Sequence, residues 1–255
     1  MADRNRYLAN EIRDPADPAA RRGGAAGLGV GEVILCIIQA RMGSTRLPGK
    51  VLLPIGGKPI LQWVIDAANN AELVDEVIVA TSYKSEDAVL LEYCAEHQTY
   101  CELGPLDDVL ERFYQAALWF QPLHIVRLTA DCPMSDPYFI DNMIRHHLYG
   151  GFDYTTNSGF PGSFPDGTDV EVFTMDTLTR AAKLATKPED REHVTPFMRQ
   201  PNLFNIRQVP FPLLNGKIDP VTEKKYSVDT REDYERVKEE MERCLRGRRG
   251  YLTVH

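Results

Sequence analysis

The chain has 255 residues, 43% hydrophobic and 26% charged, with a formal net charge of -8 at pH 7. This composition is typical of a globular protein, and its acidic balance argues against a nucleic-acid-binding domain. No stretch approaches the ~20 apolar residues of a membrane-spanning helix, so we expect neither nucleic acid nor membrane among the partners.

The two ends of the chain differ in composition from its middle. Residues 1–32 lack the apolar run of a signal peptide and mix acids with arginines and prolines, which predicts a disordered leader. Residues 33–245 are predicted to form one domain, and residues 246–255 a frayed tail. The cysteines, which are scattered without a C-x-x-C pair and so favour a reducing cytoplasm, are Cys36, Cys94, Cys101, Cys132 and Cys244.

The first half of the chain alternates strand-like and helix-like patterns. Strands are predicted at 33–39, 76–81 and 124–128, with helices beginning near 60, 86, 109 and 137. Asp136 followed by Pro137 is a favourable helix start. The alternation predicts an α/β fold with a doubly wound, mostly parallel sheet.

The second half is more mixed. Strands are predicted at 154–157, 169–174, 204–209 and 226–228, and helices at 175–184 and 189–198. Thr230 to Asp233 matches a capping box that would open a final helix. Two loops rich in glycine and proline stand out: 158–167, which we expect to be a mobile lid, and 211–222.

A cationic loop directly follows the first predicted strand. Residues 41–58 contain no acid and carry four positive charges, on Arg41, Arg46, Lys50 and Lys58. In open α/β sheets, ligands bind beyond the carboxyl ends of the strands, and glycines let backbone N–H groups approach an anion closely. A solvated basic loop is the alternative, but the position favours binding of a triphosphate.

Two aspartates share a similar context. Asp131 and Asp229 each follow a predicted strand end and precede a turn into a capped helix. Because parallel strands align their carboxyl ends, both carboxylates are expected in one crevice beside the cationic loop. Two carboxylates with phosphate oxygens suit Mg²⁺. The alternatives are a helix cap for Asp229 and a turn residue for Asp131. Cys132, next to Asp131, is a weaker candidate nucleophile without a nearby base.

These motifs resemble known nucleotidyltransferases. The run Gln-Ala-Arg-Met-Gly-Ser-Thr-Arg-Leu-Pro-Gly-Lys at 39–50, followed by Gly-Lys-Pro-Ile at 57–60, resembles the opening of 3-deoxy-manno-octulosonate cytidylyltransferases. The blocks at 129–133, 167–173, 191–196 and 227–230 are similar to the spore-coat polysaccharide cytidylyltransferase-like family. The resemblance covers about residues 33–243. Cys132 stands where octulosonate enzymes commonly carry an acid.

The resemblance implies a GT-A-like nucleotide-diphospho-sugar transferase fold working with CTP and Mg²⁺. CMP would pass from CTP to a hydroxyl of an acidic sugar or related acid, with release of pyrophosphate, for surface polysaccharide or glycoconjugate biosynthesis. Asp131 and Asp229 would hold the metal, and Arg41 and Lys50 would act on the triphosphate. A homodimer is compatible with the family. The predicted nucleotide-binding residues are Ala40, Arg41, Gly43, Ser44, Thr45, Arg46, Lys50 and Asp108.

The acceptor is predicted to meet five residues, Asp169, Glu171, Arg191, Glu192 and His193. Arg191 would grip a substrate carboxylate as a fork, and His193 would move a proton. The alternative for residues 191–193 is an exposed helix start after Pro188, and Asp108 is also a candidate helix cap.

Two other functions stay open on the sequence. A glycosyltransferase that consumes a nucleotide sugar would share the fold, although residues 131–133 lack the Asp-x-Asp motif usual in such enzymes. A non-catalytic nucleotide-binding protein on the same scaffold is the second. Candidate acceptors are octulosonate-like sugars, nonulosonic acids and phosphonates.

Overall fold

A computed structural model describes residues 33–211 and 223–247 of the chain. The predicted leader 1–32, residues 212–222 of the second predicted loop, and residues 248–255 of the predicted tail lie outside the described residues. Within the described ranges, no helix is long and apolar enough to cross a membrane.

The strands form one large sheet and a small hairpin. They are β1 (Ile34–Gln39), β2 (Pro54–Ile55), β3 (Lys58–Pro59), β4 (Glu76–Ser82), β5 (Tyr100–Gly104), β6 (His124–Thr129), β7 (Tyr154–Thr156), β8 (Glu171–Thr174) and β9 (Ile206–Gln208). The described helices are α1 (Ile60–Asn70), α2 (Ala88–Glu96), α3 (Val109–Phe120), α4 (Pro137–Gly150), α5 (Met175–Leu184), α6 (Pro188–His193) and α7 (Arg231–Gly247).

The large sheet has the strand order β5-β4-β1-β6-β8-β7-β9. Strands β5, β4, β1 and β6 are parallel, while β8 runs antiparallel to both β6 and β7. This confirms the predicted mixed, mostly parallel α/β sheet. The chain leaves β1 towards β4 and β5, then returns to β6 on the other side, so a crevice opens at the carboxyl ends of β1 and β6.

The core lies on both faces of the sheet because alternate residues of a strand point to opposite sides. On β1, Cys36 and Ile38 pack with residues of α1, α2 and α4, whereas Leu35 and Ile37 pack with α3 and α5. Strand β1 is therefore buried on both faces, as its continuous apolar sequence predicts.

Helix α7 packs against the β2–β3 hairpin rather than against the large sheet. Tyr234, Val237 and Met241 of this helix join Ile55 and Trp63 in a separate cluster. The Tyr234 hydroxyl donates a hydrogen bond of 2.6 Å to the Pro54 carbonyl. This contact fixes the amino end of α7, and with it the residues that precede the helix.

Several predicted elements are confirmed. Helix α5 has the predicted bounds, and the Asp136 side chain accepts a hydrogen bond of 2.8 Å from Tyr138 N–H at the start of α4. Strand β5 and the β2–β3 hairpin were not predicted, since both are short. The turn of the hairpin, Gly56-Gly57, is a typical hairpin signal that could have revealed it.

Two predicted elements are wrong. The helix expected at 189–198 ends as α6 at His193, and a 3₁₀ turn follows at Pro196–Arg199. Val194 between them has φ 71° and ψ -57°, with Thr195 N–H bonded to the His193 carbonyl, which is a strained γ-turn. The strand expected at 226–228 does not form, and a single bridge between Asp166 and Lys225 precedes this segment.

Candidate nucleotide-binding site

A cleft of about 690 Å³ lies at the carboxyl ends of β1 and β6. Gln39, the last residue of β1, and Thr129, the last of β6, form its floor. The loop after β1 forms one wall, and Asp131 and Asp229 lie opposite. This is the position where open α/β sheets bind ligands.

The cationic loop is fastened to the neighbouring strand connection. Met42 N–H donates a hydrogen bond of 2.6 Å to Asp87 Oδ1, and the Met42 carbonyl accepts one of 3.0 Å from Gly49 N–H. Asp87 is fully buried and also accepts a short hydrogen bond from the Ser82 hydroxyl. The loop is thus held in a compact curve between β1 and the connection that follows β4.

A buried arginine lies near this anchor. Arg112 of α3 is fully buried, and among the described residues its three guanidinium nitrogens have no hydrogen-bond partner. Burial is the main reason that the pKa of Arg112 is lowered to about 10; Asp87 opposes this shift and the like charge of Arg41 contributes to it. Gly104 permits this packing, because a Cβ there would lie 2.6 Å from Arg112 Cγ.

Lys50 joins the two predicted metal ligands. Its Nζ lies 2.7 Å from Asp131 Oδ2 and 3.0 Å from Asp229 Oδ1, and its side chain is only 12% exposed. The Val228 N–H donates to the Asp131 carbonyl at 2.9 Å, so the two aspartates are also tied through the backbone. Asp131 and Asp229, which lie 81 and 179 positions after Lys50, therefore meet at its ammonium group.

Two further cations contact Asp229. Arg46 Nη2 lies 3.2 Å from its Oδ1, and Lys225 Nζ lies 2.8 Å from its Oδ2. Burial opposes ionisation of Asp229, but the bonds from Lys225 and Lys50 outweigh it and lower the pKa of the carboxyl. Burial likewise disfavours the charge of Lys50, yet Asp131 and Asp229 raise its pKa. These shifts favour the charged forms of Asp229 and Lys50.

The carboxylates of Asp131 and Asp229 suit a cation that also binds an anionic ligand. Among residues 33–211 and 223–247, no group of three or more His, Cys, Asp or Glu side chains is arranged to hold a metal ion. Asp131 and Asp229 nevertheless share one cationic group already, the Lys50 ammonium. Two carboxylates leave the remaining positions around Mg²⁺ to phosphate oxygens and water, as this ion prefers.

The capping box of α7 also positions Asp229. Thr230 Oγ1 accepts a hydrogen bond of 3.2 Å from Asp233 N–H, and Asp233 Oδ2 accepts one from Thr230 N–H, which confirms the predicted box. The same Asp233 oxygen accepts a bond of 3.2 Å from Asp229 N–H. Asp229 therefore precedes the cap and is free to direct its own carboxylate into the cleft.

The predicted lid, residues 158–167, ends beside Asp229. Gly167 has φ +91°, and a Cβ there would lie 2.1 Å from Ser227 N. The neighbouring Asp166 carbonyl accepts from Tyr226 N–H at 2.6 Å. Only glycine allows this approach, which holds the segment before Asp229 against the end of the loop.

Most predicted nucleotide-binding residues line the cleft, with two exceptions. Ala40 is buried in the core, and its N–H bonds to the Ala80 carbonyl. Asp108 caps α3 through Glu111 N–H at 3.0 Å, and Leu106 lines the cleft instead. The predicted residues in the lining are Arg41, Gly43, Ser44, Thr45, Arg46 and Lys50.

The structure does not bring the five predicted acceptor residues together. The Arg191 guanidinium is bonded to other residues of the protein. Its Nε lies 2.7 Å from Asp108 Oδ2, and its Nη1 donates to the carbonyls of Ala182 and Ala185. Its guanidinium is therefore engaged in joining α6 to α3 and α5. Glu192 and His193 are exposed on α6.

Glu171 is buried rather than open to a ligand. Its carboxylate accepts bonds from Arg127, Tyr154, Thr195 at 2.7 Å and Arg199 at 3.0 Å. Burial alone would raise the pKa of Glu171, but the two arginines outweigh it and lower the pKa to about 2. Glu171 is the centre of an internal ion network.

Asp169 lies close to the end of the predicted lid and to Glu171. Its carboxylate accepts a hydrogen bond of 3.2 Å from Gly167 N–H, at the end of the predicted lid. Burial raises the pKa of Asp169 to about 6, and the charges of Asp166 and Glu171 add to the shift.

Cys132 is not set up as a nucleophile. It is buried, and burial together with the charge of Asp131 raises the pKa of its thiol well above the usual value. The thiolate that nucleophilic attack requires is therefore strongly disfavoured.

The sequence interpretation missed Glu86, which lines the cleft, and four charged residues that lie behind its walls or contact them. Lys225 precedes Asp229 by four positions, a spacing that could have indicated a pair. Asp87, Arg112 and Arg127 gave no local signal, since each lies inside a predicted helix or strand. Asp87 and Arg127 contact Met42 and Glu171, which are distant in sequence.

Comparison with known proteins agrees with this geometry. The model of a family described as cytidylyltransferase matches residues 35–248. The spore coat polysaccharide biosynthesis protein SpsF of Bacillus subtilis is 34% identical over 211 residues, which cover 80% of this chain and 85% of SpsF. A 3-deoxy-manno-octulosonate cytidylyltransferase of Synechococcus elongatus is 34% identical over 131 residues, about half of each protein.

Solved structures share the fold. A cytidylyltransferase from Leptospira borgpetersenii superposes with a TM-score of 0.75 at 28% identity and covers 88% of this chain and 98% of its own. A CMP:2-keto-3-deoxy-manno-octonic acid synthetase complexed with CTP has a TM-score of 0.63 at 19% identity, covering 83% of this chain and 99% of its own. The second likeness concerns the fold alone. Because the family model spans most of the described sheet and the whole cleft, the chain belongs to the cytidylyltransferase family.

Proposed function

We propose that this protein transfers CMP from CTP to a hydroxyl group of an acidic sugar or related acid, with release of pyrophosphate, for surface polysaccharide or glycoconjugate biosynthesis. The observation that carries the proposal is the contact of Lys50 with Asp131 and Asp229 in a cleft walled by the cationic loop. Membership of the cytidylyltransferase family, a relative named for spore coat polysaccharide biosynthesis and a fold neighbour complexed with CTP support it.

The proposed metal is Mg²⁺, held by Asp131 and Asp229. The contact of both carboxylates with one ammonium group supports this, because both already approach a single cation. When bound there, Mg²⁺ would neutralise phosphate oxygens and lower the pKa of an attacking hydroxyl.

The side chains of the cationic loop would bind the triphosphate. Arg41, Arg46 and Lys50 all line the cleft and supply positive charge, and the backbone of residues 43–45 lies along the same wall. In phosphoryl-type transfer the protein acts mainly by positioning and by stabilising charge. The acceptor oxygen would form a bond to the α-phosphorus while the bond to the departing pyrophosphate breaks, and the hydroxyl proton would pass to solvent.

The cytoplasm is the proposed location. All five cysteines are free thiols in the structure, as expected in a reducing compartment.

A thermal-shift panel with CTP, UTP, GTP and ATP, each with and without Mg²⁺, tests the nucleotide and the metal together. A ligand at 100 times its Kd adds about 2.7 kcal/mol to the free energy of unfolding. At roughly 2–4 °C per kcal/mol, CTP with Mg²⁺ is expected to raise the Tm by several degrees. A shift with another nucleotide would overturn CTP, and no shift with any triphosphate would contradict the proposal.

Turnover is tested by pyrophosphate release from CTP with a panel of 3-deoxy-manno-octulosonate, N-acetylneuraminate, glucuronate and 2-hydroxyethylphosphonate. Release should require both an acceptor and Mg²⁺. Sugar transfer from a nucleotide sugar, without pyrophosphate release from any triphosphate, would support a glycosyltransferase instead.

A further inference from the structure

A second cavity, of about 430 Å³, opens at the far side of the sheet. Thr156 and Gln208, the last residues of β7 and β9, form part of its wall. Both β6 and β7 run antiparallel to β8, so their carboxyl ends lie at the same edge of the sheet. The second cavity runs along β7 and β9 from Tyr154 and Ile206, and its end at the carboxyl ends of these strands lies at the same edge of the sheet as the cleft, the edge where ligands of such folds bind.

Arg199 is the charged member of this cavity's lining among the described residues. Its side chain is 37% exposed, with Nη2 3.0 Å from Glu171 Oε1 and its guanidinium 5.9 Å from the centre of the Tyr154 ring. Gly159, with φ +80°, crosses close above it, since a Cβ there would lie 2.2 Å from Nη1. The arginine is thus fixed in position while part of it stays open to the cavity.

The ion network behind the cavity carries excess positive charge. Arg127 and Arg199 both contact the Glu171 carboxylate, so two cations surround one anion. Glu171 is fully paired inside the protein and its exposed fraction is 2%. An anionic group entering the cavity would meet Arg199 with this surplus charge and could accept its hydrogen bonds.

The same network reaches the cleft. Arg127 Nη2 donates a hydrogen bond of 3.0 Å to Gln39 Oε1, and Gln39 lines the cleft. With hydrogen bonds of about 3 Å and the intervening guanidinium and carboxylate groups, Gln39 Oε1 lies no more than about 13 Å from Arg199. Direct contacts link the two sites through four residues in this order: Gln39, Arg127, Glu171 and Arg199.

We propose that this cavity is the acceptor site and that Arg199 binds the carboxylate of the acceptor sugar. The inference rests on the proposed CMP transfer and specifies its substrate as a sugar acid. Arg199 takes the role that the sequence analysis gave to Arg191, because the Arg191 guanidinium is paired with Asp108. Glu171 acts as a positioning residue that orients Arg199 towards the cavity.

The first test places a repelling charge in the cavity without disturbing the network. Gln208 is exposed at the cavity wall, so Gln208→Glu leaves every contact of Glu171 intact. For the sugar acid of the panel that turns over, we expect the acceptor KM to rise about tenfold, with kcat and the KM for CTP within about twofold. Gln115→Glu on the exposed face of α3, outside both cavities, is the matched control and should leave all three constants unchanged.

The second test pairs the arginine with the carboxylate of the substrate. Wild-type protein should prefer the sugar acid over its carboxamide by about tenfold or more in kcat/KM, whereas Arg199→Gln should discriminate by less than about threefold. Arg199→Lys, which keeps the charge, should lie between them. Circular-dichroism melting checks that the variants fold, and Gln208→Glu decides the matter if Arg199→Gln does not.

The outcomes separate this inference from the proposed function. If no acid of the panel supports pyrophosphate release from CTP, the proposed function is wrong. If turnover occurs and Gln208→Glu behaves like Gln115→Glu, or Arg199→Gln keeps the full preference for the acid, only the acceptor site is wrong.

Discussion

Lys50 is the residue at which three parts of the chain meet. Its ammonium contacts Asp131 after β6 and Asp229 before α7, and it belongs to the loop after β1. Lys50, together with Arg46 and Lys225 on Asp229, compensates the two negative charges, which explains how two carboxylates are tolerated side by side. A metal ion with a triphosphate offers the same compensation, since the metal takes the carboxylates and the phosphates take the lysine.

Replacing either aspartate should therefore remove activity and leave the fold. We expect Asp131→Asn and Asp229→Asn each to lower kcat at saturating Mg²⁺ by at least about 100-fold, because the metal loses half of its protein ligands. Circular-dichroism melting should show little change, since asparagine keeps the shape of the side chain and Lys50 retains one carboxylate partner in each variant. Asp176→Asn, which removes a carboxylate 74% exposed on α5, is the control. Wild-type kcat/KM in either variant at limiting Mg²⁺ would refute the metal assignment.

The amino end of α7 is the element that aims Asp229. The two residues of its capping box hold different groups. Thr230 Oγ1 accepts from Asp233 N–H, whereas the Asp233 carboxylate accepts from Thr230 N–H, Asp229 N–H, Lys225 and Arg236. The Asp233 carboxylate therefore both caps α7 and holds the backbone of Asp229, the candidate metal ligand.

This difference yields a matched pair of variants. Thr230→Ala should lower the free energy of unfolding by about 1 kcal/mol, the usual contribution of a cap, and leave kcat near the wild-type value. Asp233→Ala should lower kcat by about tenfold or more as well, because a small displacement of Asp229 disturbs the metal geometry. Urea unfolding and steady-state rates measure both effects. Equal rates in the two variants would contradict the positioning role of Asp233.

Over the whole molecule, a buried histidine pair links stability to pH. His147 of α4 is 1% exposed, and its ring nitrogens lie 3.0 Å from Thr155 Oγ1 and 3.1 Å from His124 Nδ1. Burial and the neighbouring His124 lower the pKa of His147 to about 3. The unfolded chain binds a proton there near pH 6.5, so stability is full above pH 6.5 and falls as the pH drops towards 3.

The wild-type protein should therefore lose about 2 kcal/mol from this group between pH 7 and pH 5. His147→Gln should be less stable at pH 7, where it lacks the native packing, and should have a flatter pH dependence between 7 and 5. Thermal melts at both pH values measure the difference. A variant with the same slope as the wild type would exclude His147 as the source.

The sequence by itself determined the order of elements and the location of the cleft. Continuous apolar runs, helical spacing and caps are local signals, so β1, β4, β6, α4 and α5 could be recognised within a residue or two. Parallel strands must align their carboxyl ends, so the loop after β1 and Asp131 were expected together. Asp229 joined them through its capped helix, although the strand predicted before it does not form.

Only the tertiary structure decided which charged groups meet. Arg191 and Asp108 are 83 positions apart, and no local pattern indicates that their side chains pair. Arg127 and Glu171 face each other because β6 and β8 are antiparallel neighbours in a particular register, which packing of the whole sheet sets. Long side chains reach partners on other elements, so the burial of Glu171 and the exposure of Arg199 follow from the assembled fold, where sequence spacing carries no signal.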